Sequence, residues 1–406
     1  MTMEVNPSSQ AIDEDGQRMH PLLNRSPSWE KSMPARPVGN HRLDRVACSG
    51  VLLTSPIQWP GALMKMLSAL VVGLIAATAA MNAGAQANTR YSITKTIPIG
   101  APDRWDYVVF DPVQDRVYVA HGQNVTVVDG ASGALLGTIE VGGVTHGIAA
   151  VHALGKGYTD DGKAGEAVVF DLQSLKVLGR VKAEPDADGI VYDAKSGHIL
   201  VIDGDSAKVT VIDPKSDSVA ATIEAGGGLE FGVSDEAGKF YVDGEKNNEV
   251  VRIDLASNKV DAHWPLTGCL TPHGLAIDRL NKRLFASCAN KTMVVMNATD
   301  GAVMATFPIG AGTDFAEFDP SRNLAFSSNR DGTLSIVAER SPSQFETLPP
   351  VETPYGARTM AVDPKTGRIF LVTADFTVND AVPVSDRGHY AIKPGSAKLL
   401  FLDPAK

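Results

Sequence analysis

The sequence predicts an all-β protein, a seven-bladed β-propeller of four-stranded blades. Three observations predict it. Short apolar strands ending in Asp recur about every 42 residues, a spacing that suits four strands per unit. The 38 glycines supply many tight turns. No amphipathic helix of useful length interrupts the pattern.

Taken in order, residues 1–63 contain Pro, Ser and Arg without apolar periodicity. They read as a disordered leader, or as sequence upstream of a true start at Met64 or Met66. Residues 64–87 read as a signal peptide. Lys65 is the positive end, Leu67 to Ala80 the apolar run, and Ala83-Gly84-Ala85 and Ala85-Gln86-Ala87 are small-x-small cleavage sites. If the leader is retained, the same run reads as an uncleaved anchor.

Residues 88–406 carry the repeats. Third strands end at Val128-Asp129, Phe170-Asp171, Ile212-Asp213, Ile253-Asp254, Met296-Asn297, Val337-Ala338 and Leu402-Asp403. The first five intervals are 42, 42, 41, 43 and 41 residues; the last is 65, so the final unit holds an insertion at about 374–397. First strands end at Phe110-Asp111-Pro112, Tyr192-Asp193, Ser234-Asp235, Ile277-Asp278, Phe318-Asp319-Pro320 and Val362-Asp363-Pro364, with Val151-His152 as the exception. Asp there can bond the turn backbone, and Pro presets its φ. The last unit lacks a fourth strand. Tyr91 to Ile99 is expected to supply it, so that the N-terminal strand closes the ring and removes a free sheet edge.

Counting back five residues from each first-strand end gives Asp106, His146, Asp188, Glu230, His273, Asp314 and Arg358. All seven are ionisable and should meet at the channel mouth on one face. Three readings follow. Asp106, Asp188, Glu230 and Asp314, with Arg104 and His121 nearby, would bind a ligand. His146, His273, Asp188 and Glu230 would hold a divalent metal ion. His146 or His273 would act as base and Arg358 would clamp an oxyanion. The bland reading is a hydrated rim of mutually neutralising charges. The second-strand ends His121, Asp161, Asp203, Cys288, Asn329 and Thr373 should flank this ring. Trp105 offers either a stacking surface or simple packing. The insertion, with Asp386, Arg387, His389 and Tyr390, reads as a lid or docking loop.

Cys269 and Cys288 both fall on top loops of one unit, and in an exported chain they are expected to form a disulfide. A soft metal site with His273 is the competing reading. No Cys-x-x-Cys-His motif is present, so covalent haem is not indicated.

The segments Arg116-Val117-Tyr118-Val119-Ala120-His121-Gly122, Val211-Ile212-Asp213, Pro272-His273-Gly274-Leu275-Ala276-Ile277-Asp278 and Arg358-Thr359-Met360-Ala361-Val362-Asp363-Pro364 resemble the YVTN/YncE family of secreted β-propeller repeat proteins. The resemblance spans residues 91–406. It implies a periplasmic or secreted propeller of the quinoprotein amine dehydrogenase-like type. Related propellers include lactonases, a metal-dependent lyase, quinoprotein subunits and surface-layer proteins. One family member binds single-stranded DNA. Here residues 88–406 carry 30 Lys+Arg against 41 Asp+Glu, a balance that repels phosphate backbones and argues against nucleic acid.

The resulting expectation is a monomer with no membrane span in its mature chain, binding a small molecule, metal or protein partner at the channel mouth. The alternatives are a divalent-metal-assisted lactonase or lyase, and a structural envelope protein. P-loop, dinucleotide-binding and His-Glu-x-x-His motifs are absent.

Overall fold

The computed structural model describes residues 91–384 and 388–405. The expected leader, the signal peptide and Asp386 and Arg387 lie outside them.

Seven four-stranded antiparallel sheets follow one another in chain order. The inner strands of blades 1 to 7 are Val108–Asp111, Ile148–Val151, Ala187–Asp193, Leu229–Ser234, Pro272–Asp278, Thr313–Asp319 and Met360–Val362. In blade 7 the sheet runs Met360–Val362, Ile369–Thr373, Lys398–Pro404 and then Tyr91–Pro98. The first strand therefore pairs antiparallel with the last, from Tyr91 opposite Pro404 to Pro98 opposite Lys398. This is the expected ring closure, and it leaves the propeller without an unpaired terminal blade.

The core lies between blades. Seven apolar clusters among the described residues each straddle one seam between neighbouring blades. The third residue of the second strand in blades 1 to 6, and the second in blade 7, anchors a blade: Tyr118, Tyr158, Leu200, Tyr241, Phe285, Phe326 and Phe370 are all buried. Side chains alternate across a pleated strand, so each such residue reaches one neighbouring blade. Phe285 of blade 5 stacks on Phe318 of blade 6 at 5.3 Å, and Phe370 of blade 7 on Phe110 of blade 1 at 5.2 Å.

The insertion leaves blade 7 between its second and third strands. It forms a short hairpin, Phe376–Val378 with Tyr390–Ile392. Tyr390 stacks on Tyr355 at 3.8 Å, and Phe376 meets Tyr355 edge-on. His389 is buried, with Nδ1 2.6 Å from the Val382 carbonyl oxygen. No helix among the described residues is long and apolar enough to cross a membrane.

Candidate functional site

The inner strands begin at one face, the top face, where a shared backbone device sets each ring residue. Two positions before the ring residue the chain is left-handed in blades 3 to 7: Asp186, Gly228, Thr271, Gly312 and Gly356 have φ of 63°, 64°, 53°, 68° and 86°. Glycine adopts this conformation without cost. Asp does so occasionally, but for β-branched Thr271 it is an outlier. In blades 2 to 6 the carbonyl at this position accepts a bond from the residue just past the second strand: Val144, Asp186, Gly228, Thr271 and Gly312 accept from Gly162, Gly204, Glu245, Ala289 and Arg330 at 2.8–3.0 Å. The next residues then turn down into the inner strand.

Adjacent blades bring ring residues together in pairs. His146 Nε2 lies 3.4 Å from Asp188 Oδ1, His273 Nδ1 3.6 Å from Glu230 Oε1, and Arg358 Nη1 3.0 Å from Asp314 Oδ2. Asp106 lies in the combined field of His146, Arg358, Asp314 and Glu230. Burial lifts its carboxyl to about 7 against the pull of His146 and Arg358. Burial likewise holds Asp188 well above the usual carboxylate range. For the imidazoles burial opposes protonation, but nearby carboxylates outweigh it. Asp188 and Asp160 push His146 well up, and Glu230 and Asp314 push His273 to about 9. Both imidazoles therefore hold a proton more tightly than a free histidine does.

The four residues expected to hold one metal fall into two of these pairs, His146 with Asp188 and His273 with Glu230. The trio whose ligand atoms all lie within 4.8 Å of one another is Glu230, His273 and Asp314. Asp314 was absent from the expected metal set.

One residue further along each inner strand lies a layer the sequence reading passed over: Tyr107, Gly147, Gly189, Phe231, Gly274, Phe315 and Thr359. Tyr107, Phe231 and Phe315 come from blades 1, 4 and 6, which are not neighbours. Their rings nonetheless meet at 5.0, 5.3 and 4.7 Å. Contact between such blades closes the central axis, so the ring forms the wall of a cup with an aromatic floor. The glycines let blades approach: a Cβ on Gly274 would lie 2.5 Å from the Ala316 nitrogen. The floor also reaches the wall, since the Tyr107 hydroxyl points at Glu230 Oε1 at 3.4 Å. Burial, reinforced by Glu230, keeps that phenol protonated.

Two buried carboxyls back the wall. Asp160 of blade 2 and Asp243 of blade 4 hold the same place, the residue before the last of the second strand. Asp160 accepts from the His146 and Gly147 amides at 2.6 and 2.9 Å. Asp243 is fully buried, and neither of its oxygens has a partner.

Other expected residues sit elsewhere. His121 is buried, its Nδ1 2.9 Å from Thr126 Oγ1, under the turn carrying Gly100 and Pro102. Burial lowers its pKa. Arg104 is half-buried. Trp105 packs among Val108, Val117 and Phe370, so it is core rather than a stacking surface. Among the second-strand ends, Asp161, Asp203, Asn329 and Thr373 bind backbone or side chains of nearby loops and third strands. Cys269 and Cys288 form the expected disulfide, with Cα atoms 5.5 Å apart. It ties the loop before His273 to its own blade. A cavity of about 220 Å³ at the opposite face includes Lys239, Arg252 and Arg279. Those cations already pair with Asp254, Asp261 and Glu236.

No family model and no curated protein matches the chain. Solved structures do. The chain is similar to Kuenenia stuttgartiensis hydrazine synthase (13% identity, TM-score 0.58, 68% of this chain and 92% of that one). It is similar to a chain of the mitotic checkpoint complex (16%, 0.60, 78% and 95%) and to U3-55K (9%, 0.62, 77% and 98%). At these identities the likeness establishes the propeller fold and no activity.

Proposed function

We propose that this protein is an exported binding scaffold whose top-face cup holds a small polar ligand. One observation carries this: seven ionisable side chains at one equivalent position ring the axis at one level, and beneath them Tyr107, Phe231 and Phe315 close it. A hydrated rim needs no floor. A closed cup with groups of both signs suits a ligand bearing both donors and acceptors. The carboxylates beside His146 and His273 raise the affinity of both imidazoles for a proton, which favours donating to an acceptor. This places binding ahead of the lactonase or lyase reading. Propellers commonly serve as binding scaffolds, which fits the same reading.

Export to the periplasm or beyond, and kinship with the YncE-type propellers, rest on the signal-like residues 64–87 and the repeat segments. N-terminal sequencing of secreted protein should begin at about residue 86–88. For binding, calorimetry with a panel of amino acids, dicarboxylates, sugars and lactones should yield a ligand whose affinity falls at least about tenfold in Asp106→Asn and Arg358→Met. Ligands indifferent to both changes would overturn the cup as the site. Loss on changing only the Phe376–Ile392 hairpin would move it to a docking surface.

A further inference from the structure

The wall of the cup is not uniform. On the blade 2–3 side each polar group is answered. Asp160 takes two amide bonds, and His146 Nδ1 lies 3.1 Å from the Ala187 carbonyl oxygen while Nε2 faces Asp188. On the blade 4–6 side Arg358 answers Asp314 and Tyr107 answers Glu230, but two groups are left over. His273 Nδ1 is buried without a hydrogen-bond partner, since 3.6 Å to Glu230 is beyond bonding reach. Asp243, fully buried, has neither oxygen paired, and the charged groups that reach it are Glu230 and His273. Unsatisfied buried carboxyls are costly and uncommon in native proteins. Here the orphan faces a cluster already suited to a cation.

We propose that Glu230, His273 and Asp314 bind a divalent first-row cation, Zn²⁺ or Mn²⁺, with Asp243 as the outer carboxyl behind Glu230 and His273. This deepens the cup reading and rests on it. Two carboxylates and one imidazole, which releases its proton as the ion binds, form a mixed O/O/N set. Their ligand atoms lie within 4.8 Å of one another, and two metal–ligand bonds of about 2.0–2.6 Å span that distance. Asp314 engages Arg358 through Oδ2, but a carboxylate has lone pairs on both oxygens, so Oδ1 can still turn to an ion. Three protein ligands leave positions open to the cup. The disulfide and the bond from the Thr271 amide to Asn248 Oδ1 (2.6 Å) pin the loop before His273. That fixes one ligand against the other two. An ion here would also answer the Asp243 orphan through the charge it places beside it.

The test is calorimetric titration of the full-length chain with Zn²⁺ and separately with Mn²⁺, with Mg²⁺ and Ca²⁺ alongside. The expected result is one equivalent of Zn²⁺ or Mn²⁺ bound. Glu230→Gln and Asp314→Asn should each weaken it at least about tenfold, and Asp243→Asn by about tenfold, as outer carboxyls do. His152→Gln, at the opposite face beside Asp111, should bind as wild type. Glu230→Gln keeps shape and the acceptor for Tyr107, and circular dichroism verifies its fold where Asp314→Asn fails to fold. No saturable binding, or binding undiminished in Glu230→Gln, overturns the proposal. A small molecule held in the cup by protein that shows no saturable binding of Zn²⁺ or Mn²⁺ would sink this inference and leave the scaffold reading standing. Metal binding with no small molecule sensitive to the cup would sink the reverse.

Discussion

Asp160 and Asp243 occupy the same place in blades 2 and 4, yet their surroundings differ. The first closes two backbone amides at the top of its neighbouring strand. The second closes none; it lies across from a register shift between Leu229 and Gly232. A repeat fold thus gives one position two uses. Where the carboxyl meets amides it builds the wall. Where it lies near Glu230 and His273, buried without a partner, burial and Glu230 hold its proton on and it stands behind a site.

The largest test of that contrast is paired substitution. Asp160→Ala strands two buried amides and should cost about 2–5 kcal/mol in denaturant unfolding. Asp243→Ala removes a group without partners and should cost less than about 1 kcal/mol. Equal losses would erase the distinction. Next, the double change Cys269→Ala and Cys288→Ala opens a link across 19 residues and should cost about 2–4 kcal/mol. If the loop positions His273, it should also weaken Zn²⁺ or Mn²⁺ more than a distant variant of equal stability does.

A third prediction probes the better-satisfied side. Asp203 of blade 3 accepts from Thr210 Oγ1 at 2.7 Å, yet burial still lifts its pKa to about 7. Its folded pKa lies above the unfolded value of about 4, so folding takes up a proton between the two. The protonated carboxyl's contribution is complete below about pH 4 and is lost as pH rises to about 7. Asp203→Asn should therefore raise the melting temperature at pH 8 and change it little at pH 4. The smallest effect belongs to Thr271→Gly. It relieves a left-handed Thr worth about 1–2 kcal/mol, offset by unfolded-chain entropy, for a net gain of about 0.5 kcal/mol.

The propeller was legible because each blade repeats the same spacing, and Tyr91 to Pro98 was the strand left to close it. The ring was legible for a related reason. A fixed offset from each first-strand end places Asp106 through Arg358 at one level of the axis. Spacing says nothing about direction around that axis. It could not show that His146 turns to Asp188 while His273 turns to Glu230, and so it merged two pairs into one metal set. Nor could it show that Asp314 completes the trio. The floor was within reach, since moving the count one residue along yields Tyr107, Phe231 and Phe315. That these three meet requires the diameter of the closed ring. Asp243 was invisible because an orphan carboxyl is defined by what its neighbours fail to donate.

The most direct measurement is anomalous X-ray diffraction at the zinc and manganese edges, on crystals of protein purified without chelator and supplied with each metal. The account predicts one peak bounded by Glu230, His273 and Asp314, above the ring of Tyr107, Phe231 and Phe315. A peak between His146 and Asp188, or none inside the cup, would contradict it.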